Sequence, residues 1–271
     1  MNFIIAGGCV ILIGLILIWI YRRNKRNVAA IAFAREAKIA DLTAEFEGVS
    51  EGLGKGFYKQ LIALHGTIRS DKPLESEISN TPCVKYRSVV ERKWEETIEG
   101  EDEQGNLVKK VQSGGDVVAS NERDQPFFVD DGTGSIKVSP NGADIELEKV
   151  IDRYEPFERV GSVGSITIGS LTLNLGANLS SRRRLLGYSY QEWLLPVDRR
   201  IFICGEVTDS SGELTFEKPA DPEKKEPYVI SMKSKSELIG QITKKIKGLA
   251  IAFYLCLGIG GLLVVWGLLR I

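Results

Sequence analysis

The stretch PFFVDDGTGSIKVS, residues 126–139, places two β-rich runs on either side of Asp130, Asp131, Gly132, Thr133 and Gly134. Val, Ile and Phe at alternating positions predict a pair of short strands. The five residues between them suit a tight structural turn, in which Gly takes positive φ and Asp or Thr hydrogen-bonds the backbone. A metal loop built on Asp130 and Asp131 is the alternative, but no further carboxylates follow at calcium-loop spacing.

Working outward, similar runs recur on both sides: YKQLIALHGTIRS (58–70), CVKYRSVVERKW (83–94), RRIFICGEVTD (199–209), GELTFEK (212–218) and YVISMKS (228–234). Gly, Pro, Asp and Asn punctuate them. Five or six short strands, with Gly66 inside the first, predict a small closed barrel of the oligonucleotide-binding type within a β-rich domain, residues 57–231. Residues 95–125 are acidic and Gly-rich, with a weak strand signal at 107–111, and are expected to form a flexible acidic loop or a long exposed hairpin.

Charge argues against one ligand class for such a barrel. Residues 57–231 carry 22 Lys and Arg against 30 Asp and Glu, a net charge of −8, which repels a phosphate backbone. No nucleic-acid partner is expected. Fold alone does not assign a ligand.

Two segments belong to a different solvent. FIIAGGCVILIGLILIWIY (3–21) and LAIAFYLCLGIGGLLVVWGLL (249–269) hold no charge and reach the ~20 residues that a helix needs to cross a bilayer. Trp19, Tyr21 and Trp266 sit near their ends, where amphipathic rings favour the interface. A signal peptide carries its cations before the apolar run; here Arg22, Arg23, Lys25 and Arg26 follow it. The expected fold class is therefore a membrane protein with two transmembrane helices flanking a mainly-β domain, a small OB-like barrel plus a membrane-proximal helix.

That proximal helix is predicted across 24–46, as a continuation of the first span, before Gly48, Gly52, Gly54 and Gly56 end it within the linker region 22–56. Ahead of the second span, 232–248 reads as a basic juxtamembrane helix with Lys233, Lys235, Lys244, Lys245 and Lys247. Cations beside both spans predict a cytoplasmic loop domain.

One segment stands apart by its lack of charge: GSVGSITIGSLTLNLGANLSS, residues 161–181, followed by Arg182, Arg183 and Arg184. A two-residue turn at Gly169 and Ser170 would pair Ile166 with Leu173 and Ile168 with Leu171, putting four apolar side chains on one face. Three fates fit it: cover by the barrel or proximal helix, contact with lipid or a partner subunit aided by the three arginines at anionic headgroups, or a weakly structured loop. The lipid bilayer is one expected partner; a membrane protein complex or a second copy is the other.

Catalytic chemistry finds little support. His65 is the only histidine and falls in a strand; Cys83 has no His near it in sequence, and Cys204 lies in a strand-like run. Cys9 and Cys256 lie in the spans. Glu91, Glu95 and Glu96 fit a solvated strand end, and neither a nucleophile elbow nor a phosphate-binding Gly-rich loop occurs. Four Cys and one His are too few for a two-zinc module of eight ligands. No cofactor and no metal are expected. A hydrolase with an unrecognised site and a membrane-tethered nucleotide or nucleic-acid binder remain as alternatives to a binding protein.

ALHGTIRSDKPLESEISNTPCVKYRSVVERKW (63–94), PFFVDDGTGSIKVSPNGAD (126–144), GYSYQEWLLPVDRRIFICGEVTD (187–209) and YVISMKSKSEL (228–238), with the span–domain–span layout, resemble the GIDE-type family, the membrane-flanked domain of mitochondrial and chloroplast ubiquitin ligases and their prokaryotic relatives. Ligase members carry a RING after the second span, and this chain ends at Ile271, so it looks like the RING-less prokaryotic form. The resemblance implies a non-catalytic scaffold in the assembly, quality control or stress response of membrane complexes, in a bacterial inner membrane or a thylakoid.

Overall fold

The computed structural model describes residues 2–101, 106–157, 164–168, 171–175, 183–219 and 226–269. In chain order, α1 (Asn2–Phe33) leads through β1 (Arg35–Glu36) to α2 (Ile39–Leu53), β2 (Lys59–Arg69), β3 (Leu74–Glu75), β4 (Pro82–Glu101) and β5 (Leu107–Asp124). Then follow β6 (Phe127–Asp130), β7 (Ser135–Val138), β8 (Asp144–Ile145), β9 (Glu148–Pro156), β10 (Gly164–Ile168) and β11 (Leu171–Leu175). The chain closes with β12 (Arg183–Pro196), β13 (Arg200–Thr208), β14 (Thr215–Glu217), β15 (Val229–Ser231) and α3 (Lys235–Leu269).

Five strands close into a barrel in the order β2, β6, β7, β14, β13 and back to β2. Every neighbouring pair is antiparallel except β7 and β14, which run parallel. This is the OB-like barrel that the strand count and Gly66 predict. At Thr67 the strand β2 pairs with Arg200 of β13 on one side and with Asp130 of β6 on the other. Strand β6 comes so near that a Cβ on Gly66 would run into the Val129 side chain and lie 2.9 Å from the Asp130 carbonyl oxygen.

Alternation fills the barrel. Ile62, Leu64 and Ile68 of β2 point inward beside Val129, Ile136, Val138, Ile201, Ile203, Val207 and Phe216. The same core includes Ile39 and Leu42, so the first turn of α2 plugs one mouth. On β13 the alternate residues Phe202 and Cys204 face the other way, yet they too are fully buried. Ile31 and Ala34 at the end of α1, with Leu238, Ile239 and Ile242 of α3, cover them. Both faces of β13 are thus buried, which explains its nearly unbroken apolar run.

The helices that cover this face are the ones long and apolar enough to cross a membrane, over Ile5–Phe33 and Lys235–Gly267. They run antiparallel and close: a Cβ on Gly7 would lie 2.7 Å from Val264, and Gly14 faces Cys256. Small residues allow such approach between apolar helices. The start of α3 carries a capping box, in which the Glu237 N–H donates to Ser234 Oγ at 3.3 Å and the Ser234 N–H donates to Glu237 Oε2 at 2.9 Å. Basic residues 235–247 and the apolar span are one continuous helix.

Two expectations need correction. A single helix across 24–46 is not formed: α1 stops at Phe33, residues 35–36 pair parallel with Ile62 and Ala63 of β2, and α2 starts afresh at Ile39. The strand pairing takes over the backbone hydrogen bonds there, and long-range contacts outweigh an uninterrupted helical pattern. Nor does the run 83–94 enter the barrel. It lies in β4, which with β3, β5, β9 and β12 forms a separate five-stranded sheet.

That second sheet also settles most of the acidic segment. Residues 95–101 and 107–124 are not a flexible loop but the arms of a long β4–β5 hairpin, paired from Lys85 with Asp124 out to Glu101 with Leu107. Side chains stitch it: Arg92 bonds Asp116 at 3.3 Å, and Trp94 lies so close to Gly114 that a Cβ there would sit 2.5 Å from the ring. Glycine on one arm makes room for indole on the other.

Candidate functional site

The turn between β6 and β7 concentrates several hydrogen bonds. Gly132 sits at φ +85°, its N–H donates to Asp130 Oδ1 at 2.7 Å, and the Thr133 N–H donates to Asp131 Oδ1 at 2.8 Å. The other Asp131 oxygen leaves the turn and accepts from the Ile39 N–H at 2.9 Å, while Thr133 Oγ1 accepts from the Ala40 N–H at 3.2 Å. Lys38, the residue before α2, has no side-chain cap of its own, so this turn caps the helix from 92 residues away. Burial works against the Asp131 charge, but hydrogen bonds from Thr133 and from the Ile39, Thr133 and Gly134 backbone outweigh it and hold the carboxyl below its usual range.

Two buried carboxylates do similar work elsewhere. Glu192 on β12 is fully buried and accepts from the Ile78 N–H at 2.8 Å, the Ser79 N–H at 2.9 Å, the Ser79 hydroxyl at 2.6 Å and the Ser88 hydroxyl at 2.9 Å. It fixes the 76–81 turn onto the second sheet. Burial again opposes its charge, and the donated bonds prevail, lowering its pKa. Asp209 accepts from the Gly56 and Tyr58 N–H groups at 2.6 and 3.0 Å, holding the entry into β2. The sequence had a signal for Glu192: it falls in step with Tyr188, Tyr190 and Leu194, all inward on one strand face.

The candidate nucleophiles and base are not poised for chemistry. Burial pushes the thiols of Cys83 and Cys204 up to about 12, so both stay protonated at neutral pH. Burial also lowers the pKa of His65, whose ring centre lies 5.0 Å from that of Phe202 at a tilt of 48°. Among the described residues no group of three or more His, Cys, Asp or Glu is placed to hold a metal ion.

The neutral segment forms a two-stranded element. β10 and β11 pair antiparallel with Ile166 opposite Leu173 and Ile168 opposite Leu171, the register that a turn at Gly169 and Ser170 requires. Those two turn residues and Arg182 lie outside the described residues. β11 runs beside β5 of the long hairpin. Of the arginines that follow, Arg183 lies 3.9 Å over the Trp94 ring and pairs with Glu96 at 3.1 Å and Asp116 at 3.6 Å. Arg184 pairs with Glu95 at 3.2 Å and stays exposed. Glu95 and Glu96, which the sequence leaves at a solvated strand end, are the partners that tie β12 to β4.

No curated protein and no solved structure matches the chain. A family profile does: that of GIDE, described as E3 ubiquitin ligase, matches residues 95–265. The match runs from the outer half of the β4–β5 hairpin, through β12 and the last barrel strands, into the second span, and covers more than half of the 271 residues. A profile that takes in four of the five barrel strands and most of the second apolar helix, over more than half of the chain, makes the chain a member of the GIDE family.

Proposed function

We propose that this chain is a non-catalytic, membrane-anchored binding protein, a scaffold for the assembly, quality control or stress response of membrane complexes. The observation that carries the proposal is the clasp: α1 and α3 grip the outer face of β13 through Ile31, Ala34, Leu238, Ile239 and Ile242, and Lys235 pairs with Glu36 at 2.8 Å. The barrel is therefore seated on the membrane helices rather than tethered to them. The β4–β5 hairpin and the β10–β11 hairpin beside it are the elements offered to a partner, and Ile166, Ile168, Leu171 and Leu173 are the proposed contact residues.

Basic residues beside both spans favour a cytoplasmic face for the barrel. Ubiquitin transfer by this polypeptide is not part of the proposal. Its four Cys and one His fall short of the eight ligands of a two-zinc RING, and two of the cysteines are buried and held protonated.

The test is affinity purification of the full chain from native membranes beside a ubiquitin-transfer assay on the same preparation. Defined membrane proteins recovered in fixed ratio, without ubiquitin conjugation, support the scaffold. Conjugation that depends on this chain alone, or turnover of a substrate in a hydrolase screen, contradicts it.

A further inference from the structure

A stripe on α1 crosses the edge of the apolar span. Leu12, Leu15, Ile16 and Trp19 follow helical spacing, and Arg22, Arg23 and Arg26 continue the same line. The four apolar residues are 53–62% exposed, and the three arginines are exposed as well. One face thus changes from lipid-like to cationic at the level where the span leaves the hydrocarbon.

At that level the stripe does not face open solvent. A cleft of about 600 Å³ separates it from the barrel, with Trp19, Arg22, Arg23 and Arg26 on one wall and Lys218 and Tyr228 on the other. Lys218 is directed by its neighbour: a Cβ on Gly142, at φ +76°, would lie 2.6 Å from the lysine Cδ, so the aliphatic stem lies across the glycine. Asp144 and Glu226 also line the cleft, leaving an excess of two positive charges.

Several other surface cations are neutralised by a neighbour. Arg35, Lys85, Arg92, Arg183, Lys233 and Lys235 each pair with a carboxylate. Among the described residues, Arg22, Arg23, Arg26 and Lys218 have no carboxylate within ion-pairing distance, although Asp144 and Glu226 lie in the same cleft. The Arg23 guanidinium lies 5.9 Å from the Trp19 ring centre, a cation–π contact that leaves the in-plane N–H groups free to donate. Planar donors of this kind recognise phosphate oxygens bidentately.

We propose that this cleft binds the headgroup of an anionic phospholipid, with Arg22, Arg23, Arg26 and Lys218 surrounding its phosphate. The lipid is chosen over free phosphate because Leu12, Leu15, Ile16 and Trp19 extend directly below the cations as an exposed track for acyl chains. The site locks one lipid between span and barrel, and goes beyond the diffuse attraction of a basic flank for a charged leaflet.

The test uses the full chain, delipidated in an uncharged detergent and titrated with phosphatidylglycerol, phosphatidylcholine or inorganic phosphate under native mass spectrometry. One phosphatidylglycerol should bind at least tenfold more tightly than phosphatidylcholine, and inorganic phosphate should not displace it at equal concentration. Arg22→Gln with Arg26→Gln should weaken binding about fivefold per cation removed. Because those changes also bear on membrane insertion, Lys218→Gln is the decisive variant: it leaves the span untouched and should weaken binding about fivefold, whereas Lys72→Gln should not. Equal affinity for the two lipids, displacement by inorganic phosphate, or an unchanged affinity in Lys218→Gln overturns the proposal.

Discussion

Asp131 accepts a hydrogen bond from the Ile39 N–H at 2.9 Å, so the turn joining two barrel strands also starts the helix that plugs the barrel. Removing that oxygen in Asp131→Ala should cost about 1 kcal/mol, the usual worth of an N-cap. Amide exchange should accelerate at Ile39 and Ala40 more than in the middle of α2. Protection unchanged at those two amides would mean that the cap is idle.

Gly132, at φ +85° in the same turn, has open space around its missing side chain, so only backbone strain opposes substitution. Gly132→Val should destabilise the barrel by about 1–3 kcal/mol. Chemical denaturation followed by amide exchange of the barrel strands measures the difference.

Glu192 supplies a pH dependence. Its folded pKa is depressed, so its stabilisation is complete above the unfolded carboxylate value of about 4.3 and disappears as pH falls through the folded value. Glu192→Gln keeps the shape but turns its amide NH2 against either the donors of residues 78 and 88 or those of residue 79, and should cost about 1–3 kcal/mol at neutral pH. The gap between wild type and variant should narrow on acidification below about pH 4.3. A gap that widens would contradict the assignment.

Much of this was legible in the sequence. The spans, the five barrel strands and the turn at 130–134 follow from hydropathy, period-two runs and Gly/Asp chemistry. The second sheet was legible only in part: a long hairpin over 95–125 was one of two expectations, but β9 reads as a charged run, EKVIDRYEP, and the polar stretch around Gly114 and Gly115 interrupts the strand pattern of β5. Both belong to the sheet through partners distant in sequence, β12 and β4. The break between α1 and α2 was hidden for the same reason: its cause lies at Ala63 and Asp131, far along the chain.

The neutral hairpin is joined to the rest of the fold alongside β5, at the rim of the second sheet. Changing Ile168 and Leu171 to Asp together should leave the barrel's unfolding midpoint within about 0.5 kcal/mol of wild type, as for a surface site. Recovery of co-purifying membrane proteins should fall. Loss of barrel stability by several kcal/mol would instead place these residues in a core.

In the proposed scaffold the barrel is seated on the two membrane helices. With Cys9 and Cys256 replaced and the buried Cys83 and Cys204 kept, spin labels at Lys25→Cys on α1 and Glu213→Cys between β13 and β14 report their separation by pulsed electron resonance in nanodiscs. The seated barrel predicts one narrow distance distribution that broadens when Phe202→Ala empties the clasp and hardly changes when Lys235→Ala removes the exposed ion pair. A broad distribution in the otherwise unaltered chain would show a barrel on a loose tether and contradict the account.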